Sequence, residues 1–196
     1  FGRCRALNVV LVGPVVVGSV GARVVEVMDL VRTLVGVPEV IDASYQGAAS
    51  AGLHQLPGQS LRGLHGVIAG HLRMPDGRGV LMQVSDPVGR SGLMIEALGN
   101  EGHIRVRDDG GTRLDAAGNE IDSFEMEVDS AVDPISVEPS SKRLTEELIQ
   151  LCSGVGPVRS PVDYASVLAM GHSALLSART GQGETPETIR RLLLEV

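Results

Sequence analysis

The spacing of apolar and polar positions divides the chain into helical, extended and again helical stretches. Residues 3–12 (RCRALNVVLV) form a short apolar run that predicts a strand. In residues 22–35 (ARVVEVMDLVRTLV), apolar side chains fall at 24, 25, 27, 28, 31, 34 and 35. They make one broad helical face, with Arg23, Glu26, Asp29 and Arg32 towards the other. Gly36 and Pro38 supply a helix stop. Residues 39–45 (EVIDASY) predict a second strand, and the Gly-, Ala-, Ser- and Gln-rich stretch 46–61 a loop.

The rhythm then changes. β-rich runs at 65–74, 78–86, 92–99, 103–108, 112–116 and 120–128 are punctuated by the turn clusters PDG, NEG, DGG and AGN. This predicts an antiparallel meander. In HIRVRD, Ile104 and Val106 face one side and His103, Arg105 and Arg107 the other. VLMQVS sets Val80, Met82 and Val84 against Leu81, and GLMIEAL sets Leu93, Ile95 and Ala97 against Met94 and Leu98. Strands apolar on both sides belong in a sheet buried on both faces. The chain's own helices cover one face; the simplest cover for the other is a second copy, giving a two-fold dimer or a dimer of dimers. Helical spacing returns at 140–152, 160–181 and 184–195. The expected fold is therefore α+β: one domain over 1–196, a large, mostly antiparallel open sheet with helices on one face, and C-terminal helices within 140–196.

Composition narrows the function. The formal net charge of -7 and pI of about 5.2 argue against a nucleic-acid surface. Aromatics make up 2% and Trp is absent, so the core rests on Val, Leu, Ile, Ala and Met. Cys4 and Cys152 form neither a disulfide framework nor a metal pair, which fits a reduced, cytoplasmic setting. The apolar stretch 7–31 is broken by Arg23, Glu26, Asp29 and four glycines, so no membrane span is expected. His65 and His71, six apart on one predicted strand, are too distant to share a metal, and His103 and His172 stand alone. No metal site is expected. The chain opens at Phe1 in strand-like sequence, which suggests a preceding segment.

The stretch VVLVGPVVVGSVGARVVEVMDLV, residues 9–31, sends a strand through a glycine loop into a helix. A dinucleotide fingerprint needs G-x-G-x-x-G there, followed by an acidic residue about 20 positions on. Gly18 and Gly21 supply the last two glycines and Asp42 an acidic candidate, but Val16 fills the first slot and Gly13 comes too early. No further βαβ units follow. The loop reads as a turn that needs glycine for backbone angle and close packing, and no cofactor-binding residue is assigned in this chain.

The order of motifs resembles the C-terminal domain of the glucose–fructose oxidoreductase and inositol dehydrogenase (Gfo/Idh/MocA) family over nearly the whole chain. FGRCRALNV is similar to its first strand, and GARVVEVMDLVRTLVGVPEVIDA to its substrate-side helix and following strand. MPDGRGVLMQVS resembles its hairpin, LMIEALGNEGHIRVRDDGG its strand–glycine–strand pattern, and SVLAMGHSALLSARTG its closing helix. The resemblance implies a C-terminal domain of the glyceraldehyde-3-phosphate dehydrogenase-like type. It implies a parent oxidoreductase using NAD or NADP held on an N-terminal Rossmann domain absent from this chain. It also implies a sugar, polyol or related small carbonyl as substrate, and subunit packing through the open sheet face. No Glu-Lys-Pro motif is present. The family's Asp-x-x-x-His-x-x-Asp falls on Ala22, Glu26 and Asp29, so Glu26 occupies the histidine position as the candidate catalytic residue, with Arg23 and Asp29 as substrate contacts. Plainer roles compete: Glu26 solvated or paired with Arg23, and Asp29 paired with Arg32. A non-catalytic relative, serving as a ligand-binding or protein-interaction module, is the alternative function.

Overall fold

A computed structural model describes residues 2–14, 18–47, 60–86, 89–125 and 163–194. The strands are β1 (Cys4–Val12), β2 (Val40–Gly47), β3 (Gly66–Arg73), β4 (Gly79–Ser85), β5 (Gly92–Gly99), β6 (Gly102–Arg107), β7 (Gly110–Asp115) and β8 (Glu120–Glu125). The helices are α1 (Val20–Val35), α2 (Tyr164–Thr180) and α3 (Pro186–Leu194). The eight strands form one sheet in the order β2-β3-β4-β1-β5-β6-β7-β8. Every pairing is antiparallel except β1 with β4. The fold is thus α+β with a mostly antiparallel sheet. The helix expected at 140–152 lies outside the described residues, as do 126–128 of the last expected strand.

The uninterrupted meander is corrected at one point. β4 and β5 do not pair; β1 lies between them. The PDG turn closes β3 onto β4 through Gly77, whose φ of +82° suits glycine and whose N–H donates to Met74 O at 3.0 Å. The six residues from Asp86 to Ser91 are long enough to span two strand spacings of about 4.8 Å each.

The core lies between one sheet face and the helices. Leu7, Val9, Ile68, Leu72, Val80, Met82 and Val84 project from the strands onto Val24, Val27, Met28 and Val31 of α1 and Val167, Met170 and Ala174 of α2. All are buried because α1 turns its 3.6-residue stripe towards the period-2 face of β1, β3 and β4. Ser177 of α2 accepts the Ala43 N–H at 2.9 Å, tying the helix to β2. β5 continues the same side with Leu93, Ile95 and Ala97 packed on the rim of the core. No described helix packs on the opposite face, where Leu81 is 56% exposed, whereas Met82 is 3%.

Candidate functional site

The chemistry-bearing residues gather at the sheet edge where β1, β4 and β6 end and β3 and β5 begin. There Gly13 N–H donates to Ser85 O at 3.1 Å, carrying the parallel β1–β4 pairing into the glycine loop. Ser19 caps α1: its extended backbone stands outside the helix and its hydroxyl accepts Ala22 N–H at 3.2 Å. Val20 N–H donates to Leu64 O at 3.0 Å, so the segment before β3 docks onto the start of α1.

The loop glycines have local explanations. A Cβ at Gly21 would run into the Leu61 carbonyl, 2.6 Å from its carbon. At Gly13 it would lie 2.7 Å from Arg23 Nη2. The Leu61 carbonyl thus packs against Gly21, and the Val20 N–H at the start of α1 is already bonded to Leu64 O and is not free for a phosphate.

Beside the loop lies a cavity of about 190 Å³ whose polar lining is Arg23, Glu26, Ser91 and Asp108, with Leu11 and Leu93 among its apolar walls. Asp108 is fixed from below, both carboxylate oxygens accepting Leu93 N–H at 3.0 and 3.1 Å. Glu26 is exposed and forms no ion pair among the described residues. Arg23 does not pair with it. Its side chain is 5% exposed and passes under the loop, where Nη2 donates to Pro14 O at 2.8 Å. Nη1 is buried with no hydrogen-bond partner. A buried cation with a single neutral acceptor is poorly compensated. Asp29 is elsewhere: it holds Arg32 at 3.1 Å on the helix surface and does not line the cavity. The structure therefore brings Arg23 and Glu26 together and leaves Asp29 out.

Sequence reading missed a second cluster at the same edge. His65 does not share β3 with His71; the strand begins at Gly66, and the His65 ring turns to Asp86 with Nδ1 and Oδ2 2.7 Å apart. Asp86 is 2% exposed, and its Oδ1 accepts Gly66 N–H at 2.7 Å. The Tyr45 hydroxyl donates to His65 O. Burial, and then the Asp86 charge, push the Tyr45 hydroxyl above the usual phenol range. The missed signal was hairpin register. Counting back from the PDG turn pairs Val67 with Ser85, which sets Gly66 opposite Asp86 with His65 next to it. Among the described residues no group of three His, Cys, Asp or Glu is placed to hold a metal. No helix among them is long and apolar enough to cross a membrane.

No family model matches the sequence, and no curated protein matches it. Solved structures do. Levoglucosan dehydrogenase in complex with NADH and levoglucosan superposes with TM-score 0.68 at 14% identity, over 94% of this chain and 59% of that one. Its complex with NADH and L-sorbose gives 0.67 at 14%, over 96% and 60%. An oxidoreductase from Agrobacterium radiobacter, in complex with NAD+, L-tartaric acid and magnesium, gives 0.66 at 16%, over 96% and 58%. At such identities the likeness establishes the fold. It is the fold of the C-terminal domain that the motif order resembled, and the chain spans 60% or less of the length of these three structures.

Proposed function

We propose that the chain is the substrate-binding and oligomerisation half of an NAD- or NADP-dependent oxidoreductase that acts on a sugar, polyol or related small carbonyl compound. The dinucleotide is held mainly outside this chain; the Val16 departure from the fingerprint and the Val20 N–H already bonded to Leu64 O support this reading. The observation that carries the reading is the cavity beside the glycine loop, where the first turns of α1 set Arg23 and Glu26 against Ser91 and Asp108. Carboxylates accept hydrogen bonds from hydroxyl groups, and a cavity of this size takes one small polyhydroxylated molecule. The solved neighbours hold levoglucosan and L-sorbose, which are of that class. In this reading Glu26 takes and returns the proton of a substrate hydroxyl. Arg23, with Nη1 unsatisfied, fixes the loop and contributes a donor to an oxygen of the ligand.

The assembly belongs to the same proposal. The face away from the described helices carries exposed Leu98 and a shallow groove lined by exposed Leu81 with Val10 and Asn8. A second copy of the chain packed face to face buries it. We assign the protein to the cytoplasm. The alternative, a non-catalytic ligand-binding relative, draws its support from Ala22 and Glu26 at positions where the family carries Asp and His.

The test is dinucleotide-dependent oxidation of levoglucosan, L-sorbose and simple polyols by the protein that carries this chain. Glu26→Gln is expected to lower kcat about 100-fold, the usual contribution of a positioned acid–base group. Full activity in that variant would remove Glu26 from the chemistry. Absence of turnover on every sugar and polyol, with binding retained, would favour the non-catalytic relative.

A further inference from the structure

Small residues keep the cavity beside the glycine loop open. Ala22 and Glu26, one helical turn apart on α1, line it on one side, and Gly92, the first residue of β5, lines it on another. The Gly92 backbone lies outside the left-handed region. A Cβ there would meet Val12 Cγ2 at 3.4 Å and Asp108 Oδ2 at 3.5 Å, both ordinary contacts. Neither backbone angle nor crowding demands glycine at 92. What its missing side chain does is leave the space against the Asp108 carboxylate free.

Asp108 follows β6 directly. Met94 pairs with Arg107, so the next rung sets Leu93 against Asp108, and the side chain takes the Leu93 N–H at 3.0 Å from Oδ1 and 3.1 Å from Oδ2. Asparagine or serine would accept that N–H as well, without a charge. Nor does a cation call for the carboxylate: among the described residues no Lys, Arg or His forms an ion pair with Asp108. Two carboxylate oxygens offer about four acceptor sites, and one shared N–H leaves the others to the cavity that Asp108 lines. The lining thus holds acceptors at Glu26 and Asp108 and a donor at Arg23, whose Nη1 is buried without a partner. An ammonium group only donates, and an ionised carboxylate only accepts. A hydroxyl group does both.

We propose that Asp108 is a specificity-determining residue that selects substrates with hydroxyl groups on two neighbouring carbons. The two oxygens of one carboxylate lie side by side, so each accepts one O–H of such a pair, and Gly92 leaves Oδ2 uncovered for the second. Asp108 holds the pair and leaves the proton chemistry to Glu26. The ligand class rests on the oxidoreductase reading above; the choice within that class rests on Asp108 and Gly92.

Calorimetry on the protein that carries this chain is the test. The probes are levoglucosan or L-sorbose, whichever binds more tightly, and the singly deoxygenated derivatives of that sugar. In the native protein, loss of either hydroxyl of the neighbouring pair is expected to weaken binding about tenfold, the share of one hydrogen bond to a charged group. In Asp108→Ala, with folding verified by circular dichroism, the same deletions cost about twofold or less, because their common acceptor is gone. Gly92→Ala keeps its melting temperature and binds the parent sugar about tenfold more weakly. Deoxygenation losses that are equal in native and Asp108→Ala protein would overturn the proposal. So would coupling of Asp108 to one hydroxyl alone or to hydroxyls on carbons that are not neighbours, and so would native affinity in Gly92→Ala. If Asp108→Ala does not fold, Asp108→Asn replaces it. Asparagine keeps an acceptor for Leu93 N–H and puts a donor in place of the other oxygen, so an unchanged loss at both hydroxyls sinks the idea. Sugar binding and Glu26-dependent turnover with no coupling to Asp108 end this proposal and keep the oxidoreductase reading. No binding of any sugar or polyol ends both.

Discussion

Replacing Gly21 with alanine sets two effects of opposite sign against each other. Gly21 lies in the first turn of α1, where intrinsic propensity alone favours alanine by about 1 kcal/mol. The structure opposes it. The new Cβ would sit 2.6 Å from the Leu61 carbonyl carbon, where two carbons rest at about 3.5–4.0 Å. The Leu61 oxygen lies closer still, so the helix start and the 60–64 segment must part by more than about 1 Å. Both sides are backbone, so no rotamer relieves the clash, and overpacking of this kind costs about 2–3 kcal/mol. The displacement also strains the 3.0 Å bond from Val20 N–H to Leu64 O, about 1 kcal/mol more, and loosens Leu61 and Leu64, both buried. The net loss is about 2–3 kcal/mol, a fall in melting temperature of roughly 5–10 °C for a chain of this size. Thermal denaturation followed by circular dichroism measures it, with Gly89→Ala, whose Cβ meets nothing within 4 Å, as the control. A melting temperature equal to or above that of the native protein would refute the claim that close packing, rather than ligand binding, demands glycine at this position.

Two further outcomes follow from burial and charge. Leu81 is 56% exposed and Met82 3%, so Leu81→Glu is expected to stay folded and shift light scattering towards the 20.5 kDa monomer, while Met82→Glu unfolds the chain. Unchanged assembly in a folded Leu81→Glu protein would rule out the open sheet face as the interface. Asp115, in the turn between β7 and β8, has its carboxyl held below the usual range, first by the Asn119 side chain and then by backbone N–H groups including that of Ala117. A depressed folded value means that its contribution is present above the unfolded carboxylate range and disappears as pH falls through the folded value. The protection factors of the Ala117 and Asn119 amides, measured against their intrinsic exchange rates, should therefore fall in acid, below the ordinary carboxylate range. Protection that stays constant across that range would contradict the assignment.

Period and turn chemistry determined the elements. The stripe from Val24 to Val35 became α1, the alternation of Val80, Met82 and Val84 against Leu81 became the two faces of β4, and PDG, NEG, DGG and AGN mark the reversals between strands, with Gly102, Gly110 and Gly111 already in β6 and β7, because each depends only on residues adjacent in the chain. The glycine loop could be read as a packing turn for the same reason: one missing glycine at Val16 is visible without any contact. Strand order was not legible in this way. β1 enters between β4 and β5 because it is apolar enough to be buried centrally, a long-range choice that no local signal encodes. The site divides along the same line. Arg23 and Glu26 were found from helical spacing, but spacing could not show that Arg23 turns under Pro14 or that Asp29 spends its charge on Arg32. Nor could it supply Asp108 or the His65–Asp86 pair. Those residues flank the ends of different strands, and only folding the sheet brings Asp108 to the Leu93 N–H and the buried Asp86 to His65.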